Sequence, residues 1–372
     1  MKLSNYLNKL SNYLNQTGMG LALIMVAACG GGDGDGAEGF ENSELAPTII
    51  ANFTDEVMVS TYQLLAERAA TLHTTVAALQ EQPTDSNLTA AQNAWKDTRE
   101  PWESSEGFLF GPVDSYGFDP ALDSWPVDKT SLDGVLGSGD DLTQTYVASL
   151  DDTLQGFHTA EYLLFGADGT ASATDLSDRE LEYLGSVVTE MAGLADNLAL
   201  AWTDGIEGSD PYADVFRTAG EDDNTVYPSY QAAGQEIVYG MIGILDEVAN
   251  GKIADPFVEQ DTTLVESQFS HNSLTDFSNN IRSVQNAYLG KNMATGQTAT
   301  GFNQFVAEVD ADLDARLQSE LEASLTALAA IPEPFRDAIL DPNSEGLILA
   351  AQEAIRTVQT SLETDVLPLV SN

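Results

Sequence analysis

Apolar residues recur at helical spacing along most of this chain. Within residues 49–79, Ile50, Phe53, Val57, Leu64, Leu65, Leu72, Val76 and Leu79 fall near one face of a helix. Pro83, Thr84, Asp85 and Ser86 break that pattern and offer caps for a second helix carrying Trp95, Arg99, Trp102 and Glu106. Pro101 lacks the donor for an internal turn and predicts a kink or a restart there. Residues 111–141 are rich in Gly, Pro and Asp, without a sustained period, and read as a long ordered loop anchored by Trp125-Pro126. A third helix spans the apolar stretch around His158 and ends near Gly166, a good C-cap residue. Ser177-Asp178-Arg179-Glu180 is a capping box opening a long helix towards Trp202. Another helix covers roughly 230–249, a joint follows at 251–256, and three further helical stretches fill 274–288, 302–328 and 347–366. Hairpin signals are missing, so the expected fold is all-α: two helical bundles, 47–252 and 253–372, packed together with a site near their interface.

The first residues follow a different logic. Lys2 and Lys9 supply positive charge, no acidic residue precedes Asp33, and the apolar run from Met19 to Ala28 is too short to span a bilayer. It ends in Val26-Ala27-Ala28-Cys29, which resembles a bacterial lipobox. The expectation is a lipoprotein signal peptide over 1–28, lipidation of Cys29, and a flexible Gly-, Asp- and Glu-rich tether over 29–46. This places the protein in the cell envelope, lipid-anchored at the outer membrane and facing the periplasm or the cell surface. Gly30 after Cys29 lacks the Asp that retains some lipoproteins at the inner membrane. Cys29 is the only cysteine, so no internal disulfide forms and thiolate metal sites are excluded.

The charge balance narrows the partners. Against 59 Asp and Glu stand 14 Lys and Arg, a net charge of −45, so nucleic acid is a poor partner. The acidic surface suits solubility, salt tolerance or attraction of cations.

Candidate chemistry concentrates in Gly156-Phe157-His158-Thr159-Ala160-Glu161-Tyr162-Leu163-Leu164-Phe165-Gly166. His158 and Glu161, three apart on a helix, share one face and form a half-site for a metal ion; the alternative is a satisfied core histidine. Glu106 repeats the Glu-x-x-Leu-Phe-Gly pattern of Glu161 and is a candidate third ligand if the two segments are related by local symmetry. Arg99 either pairs with Glu103 and Glu106 or orients a ligand carboxylate or bound anion. His73 has no acidic neighbour at helical spacing and reads as structural. His271 lies beside Asn272 and Ser273, candidate caps for the following helix, whose N-terminal dipole Asp276 favours. No His-Glu-x-x-His, P-loop or dinucleotide fingerprint occurs.

Taken together, Trp95-Lys96-Asp97-Thr98-Arg99-Glu100-Pro101-Trp102, then Ser105 to Asp114, Trp125-Pro126-Val127-Asp128 and the 156–166 segment resemble the imelysin-like family. Ser273-Leu274-Thr275-Asp276-Phe277, with Asn280, Val284-Gln285-Asn286 and Tyr288-Leu289-Gly290, is similar to the family's second-half block. The chain departs from the family where an aromatic often stands near the position of His271, and in lacking a Gly- and Asp-rich C-terminal ending. The resemblance implies a Gly-x-His-x-x-Glu signature at Gly156, His158 and Glu161, two helical bundles, and a bacterial envelope protein tied to iron regulation or uptake. On this basis His158, Glu161 and Glu106 are expected metal ligands, with iron favoured and zinc possible. Arg99, Asp276, Ser273 and Asn280 are expected to support the ligands or bind a ligand themselves. The partners implied are a metal ion or its chelate, the membrane through the lipid anchor, and transport components. Two other functions stay open: a metallopeptidase, since some family members are called peptidases, and a module binding a ligand or partner without metal.

Overall fold

The computed structural model describes residues 39–372. The expected signal peptide, Cys29 and the expected tether up to residue 38 lie outside them. Eight long helices carry the frame: α1 (Ser60–Glu81), α2 (Asp85–Glu103), α3 (Gly156–Phe165), α4 (Asp178–Thr203), α5 (Tyr230–Glu247), α6 (Ser273–Leu289), α7 (Ala311–Ala329) and α8 (Glu345–Ser361). Among the described residues there is no strand, and no helix is long and apolar enough to cross a membrane. The all-α expectation holds.

Local chemistry explains the helix ends. Thr84 caps α2 by accepting from Asn87 N, and Ser177 and Glu180 form the reciprocal capping box of α4. α2 runs through Pro101, which cannot donate back to the Asp97 carbonyl, and the helix ends two residues later at Glu103. The stretch expected as one helix over 302–328 is two, Phe302–Val309 and α7, because Asp310 leaves helical geometry and caps α7 through Asp312 N and Leu313 N. Three π-helical turns extend the regular helices: Phe53–Val59 before α1, Val248–Lys252 after α5 and Leu362–Val366 after α8.

α1, α2, α3 and α4 pack against one another, and α7 packs on α6 and α8. α5 also packs on α6 and α8, although it precedes the expected joint. The two halves meet where α2 crosses α6. Their apolar side chains form one continuous core, so the segment at 251–256 is a turn within a shared interior rather than a linker between separate cores. Residues near the end of the expected tether are packed into this core. Phe40 is fully buried, stacked on Phe302 with ring centres 5.3 Å apart and edge-on to Phe305.

The expected long loop over 111–141 is folded into three short helices, Pro112–Ser115, Phe118–Asp123 and Lys129–Leu136. Their sequences are too short and too rich in Gly, Pro and Asp to show a period. The second of them matters most, because its last residues lie against the start of α3. Gly156 has φ of +72°, and a Cβ there would stand 2.3 Å from the Leu122 carbonyl oxygen. Only glycine allows this approach, and it brings His158 up to Asp123. Gly156→Ala is therefore expected to destabilise the fold by roughly 1–3 kcal/mol or more, through both the strained φ and the backbone collision. Urea denaturation of the two proteins measures this, and an unchanged midpoint would refute the close-approach role.

Candidate metal centre

The face of α2 that meets α3 carries Trp95, Arg99 and Trp102, spaced so that all three point the same way. All are fully buried. Trp95 Nε1 donates to the Phe157 carbonyl at 2.9 Å, and Trp102 Nε1 donates to Asp123 Oδ2 at 2.7 Å. The Arg99 guanidinium lies 4.9 Å over the Phe157 ring and 5.8 Å from that of Trp95. Aromatic packing thus fixes where one buried cation stands.

Four carboxylates surround that cation. Arg99 pairs with Glu103 one turn along and with Asp123, and its Nη2 lies 3.1 Å from Glu266 Oε1 and 3.4 Å from Asp276 Oδ2. A second buried cation, Lys252, extends the network: its Nζ is 2.8 Å from Glu106 Oε2, 3.0 Å from Glu266 Oε2 and 3.5 Å from Glu103 Oε2. Asn280 Nδ2 donates to Glu103 Oε2 at 2.6 Å and to Glu106 Oε2 at 3.2 Å. Asp276 is held by the Ser267 hydroxyl and by Asn272 Nδ2 at 2.7 Å.

His158 sits at the edge of this network. Its Nδ1 is 3.1 Å from Glu161 Oε2, while Glu161 Oε1 accepts from Phe269 N at 2.9 Å and Ser270 N at 2.7 Å. Glu161 is thereby committed to the ring and to two backbone amides. His158 Nε2 faces the other way, 3.1 Å from Asp123 Oδ1 and 3.9 Å from Glu266 Oε1. These are ion-pair distances, and among the described residues the buried Nε2 makes no aligned hydrogen bond. One atom each from Asp123, His158 and Glu266 lie within 4.8 Å of one another, as do oxygens of Glu103, Glu106, Asp123 and Glu266. Beside His158 a narrow cavity of about 10 Å³, bounded by Trp125, Val127, Ser267 and Phe269, has room for a single water-sized body.

Burial and charge set the protonation of these groups. Burial pushes Glu103 up to about 8 despite the pull of Arg99 and Lys252, and lifts Asp276 to about 6 against Arg99. Glu106 is held well above the usual carboxylate range by burial and then by Glu103. For Asp123 burial also acts upward, but Arg99 and His158 outweigh it and hold it well below that range. Burial acts to lower His158, yet its contacts with Asp123 and Glu161 raise it to about 10.

The structure places the expected residues as follows. His158 keeps Glu161 at its Nδ1, while its Nε2 faces Asp123 and Glu266. Glu161 orients the imidazole, and Glu106, which opens the one-turn helix Glu106–Phe108 instead of ending a longer one, lies on the far side around Lys252. Arg99, Asp276 and Asn280 are in the network. The Ser273 hydroxyl donates to the Glu266 carbonyl at 2.6 Å and so shapes the segment that carries Glu266. His271 is exposed, with φ of +58°. Asp123, Lys252 and Glu266 were not anticipated. Each stands in a turn or short helix, outside the periodic segments, and only the Trp125-Pro126 anchor drew attention to the neighbourhood of Asp123.

Relatives share this chain over most of its length. It is 36% identical over 323 residues to the iron-regulated protein A of Synechococcus elongatus, covering 86% of each. A crystal structure from Parabacteroides distasonis, described as an iron-regulated protein A precursor, superposes with a TM-score of 0.79 at 28% identity, over 88% of this chain and 94% of that one. An imelysin-like protein from Psychrobacter arcticum shares the fold, with a TM-score of 0.70 at 13% identity over 88% of this chain and 96% of that one. Residues 58–362 match the imelysin family profile, and the chain belongs to that family.

Proposed function

We propose that this protein binds a metal ion, with iron favoured, at Asp123, His158 and Glu266, and serves iron acquisition or its regulation. The observation that carries the reading is His158 Nε2, buried, facing two carboxylates and, among the described residues, without an aligned hydrogen bond. The donor set fits. One imidazole nitrogen with hard carboxylate oxygens suits iron, with zinc a second choice. Glu161 on Nδ1 supplies the orienting hydrogen bond that metal-binding histidines commonly have. The name of the Synechococcus relative, iron-regulated protein A, supports iron over other cations. We further propose that the protein is held in the envelope by a lipid on Cys29, a reading supported by the lipobox-like Val26-Ala27-Ala28-Cys29.

A second reading has one observation in its favour. Arg99 and Lys252 already neutralise much of the buried charge, so the network can lock α2 against α6 without metal.

Under the metal reading, titration with ferrous iron under anaerobic conditions gives about one equivalent for the wild type and loss of binding for His158→Ala. Glu161→Gln weakens binding about 10–100-fold without abolishing it, as expected for an orienting partner. Wild-type affinity for His158→Ala sinks the assignment. Because a metal at Nε2 must displace the proton that His158 holds up to about 10, binding releases a proton. The apparent affinity is therefore expected to rise about tenfold per pH unit from neutrality towards that value. A flat profile measured in two buffers of different ionisation enthalpy contradicts it. Under either reading Arg99→Met strands buried carboxylates, with an expected loss of about 3–5 kcal/mol in urea denaturation. If that loss occurs and the wild type takes up no metal, the lock is the function of the network.

A further inference from the structure

We infer that Lys252 is a tethered cation filling the second position of a two-position acidic site, so that the protein takes one metal ion where its carboxylates could hold two. The inference rests on the metal reading for the first position, at Asp123, His158 and Glu266, and adds a role for the lysine beside it.

The two ligand groups share Asp123 and Glu266. A shared carboxylate has two oxygens and can serve two neighbouring cations at once. The first position has His158 Nε2, which faces Asp123 and Glu266. At the second, the Lys252 ammonium meets carboxylates from three separate segments: Glu103 on α2, Glu106 in the turn after it and Glu266 before α6. Lys252 itself is 2% exposed. An ammonium surrounded by three carboxylates, with its long stem drawn in from another segment, occupies the place and charge of a small cation.

Two buried polar atoms suggest that this position is not saturated by the lysine. Lys252 Nζ donates to Glu266 Oε1 at 3.3 Å, which leaves Oε2, 3.0 Å away, without an aligned hydrogen bond among the described residues. Asn280 is fully buried, directs its amide end at Glu103 and Glu106, and leaves its Oδ1 without a donor. Exchanging the oxygen and nitrogen of that amide would present a neutral oxygen ligand to the same place.

Lys252 and Arg99 differ in a way that assigns the role to the lysine. Arg99 is planar and stacked over Phe157, part of the packed wall. Lys252 closes a π-helical turn, where Ile253 N bonds back to Val248 O at 3.0 Å. Such turns interrupt a helix at a specific residue and frequently mark functional positions.

The test counts ferrous iron bound after anaerobic gel filtration of the wild type, Lys252→Ala and Lys252→Arg, with melting temperatures taken with and without iron. The inference expects about one equivalent in the wild type, about two in Lys252→Ala and about one in Lys252→Arg, which keeps the charge. A folded Lys252→Ala that binds as much iron as the wild type overturns it, as does Lys252→Arg binding about two equivalents. If Lys252→Ala is poorly folded without iron, recovery of its melting transition on adding iron supports the inference, and no recovery overturns it. No iron in the wild type but about one equivalent in Lys252→Ala would remove the wild-type metal reading and leave Lys252 as the occupant of a cation position. No iron in either would remove both.

Discussion

The structure depends on burying Arg99. A guanidinium with no solvent exposure has lost its hydration, and the loss is offset only by charged partners held at contact distance. The partners come from all over the chain: Glu103 from the same helix, Asp123 from the short helix that follows, Glu266 and Asp276 from either side of the start of α6. The pairing therefore ties both halves of the molecule to one point. It also forces the local backbone. Asp123 reaches Arg99 and Trp102 only if its helix lies against the start of α3, and that approach is what Gly156 permits.

Satisfying Arg99 leaves a surplus of negative charge. Glu103, Glu106, Asp123, Glu161, Glu266 and Asp276 are six carboxylates in one buried region, against Arg99, Lys252 and a protonatable His158. Such a region has three ways to lower its charge: hold protons, draw in a lysine, or take up a metal ion. Glu103, pushed up to about 8, and Glu106, held well above the usual carboxylate range, show the first. Lys252 shows the second. A metal ion would use the same oxygens, so it would compete with protons and with the lysine.

How much of this was legible in the sequence follows from which parts repeat. The long helices show a period, and their ends carry caps such as Thr84, Ser177 and Gly166, so their existence and rough limits could be read. Asp310 could not be read as a break, because an acidic residue inside an apolar period is as ordinary on a solvated face as at a cap. The His158–Glu161 spacing and the Arg99–Glu103 spacing lie within single helices and were visible. Asp123, Lys252 and Glu266 act across the chain. With 59 acidic residues to choose from, nothing local separates the carboxylate that reaches Arg99 from those that face water. Lys252 had a weak signal: one of 14 basic residues, set where two helical stretches meet.

The Gly-x-His-x-x-Glu pattern can now be given a physical meaning position by position. The glycine is required because a backbone carbonyl occupies the space of its side chain. The histidine presents Nε2 to Asp123 and Glu266. The glutamate, three residues on, lies on the same helix face and so can reach Nδ1 but not the space beyond Nε2, since the two ring nitrogens point in different directions. Its second oxygen is taken by the amides of Phe269 and Ser270, which fastens α3 to the segment carrying Glu266. The spacing that suggests two ligands thus sets one outward-facing ring nitrogen and its support. The same contact that orients the imidazole also sets the distance between His158 and Glu266, so positioning of the ring and assembly of the site are a single event.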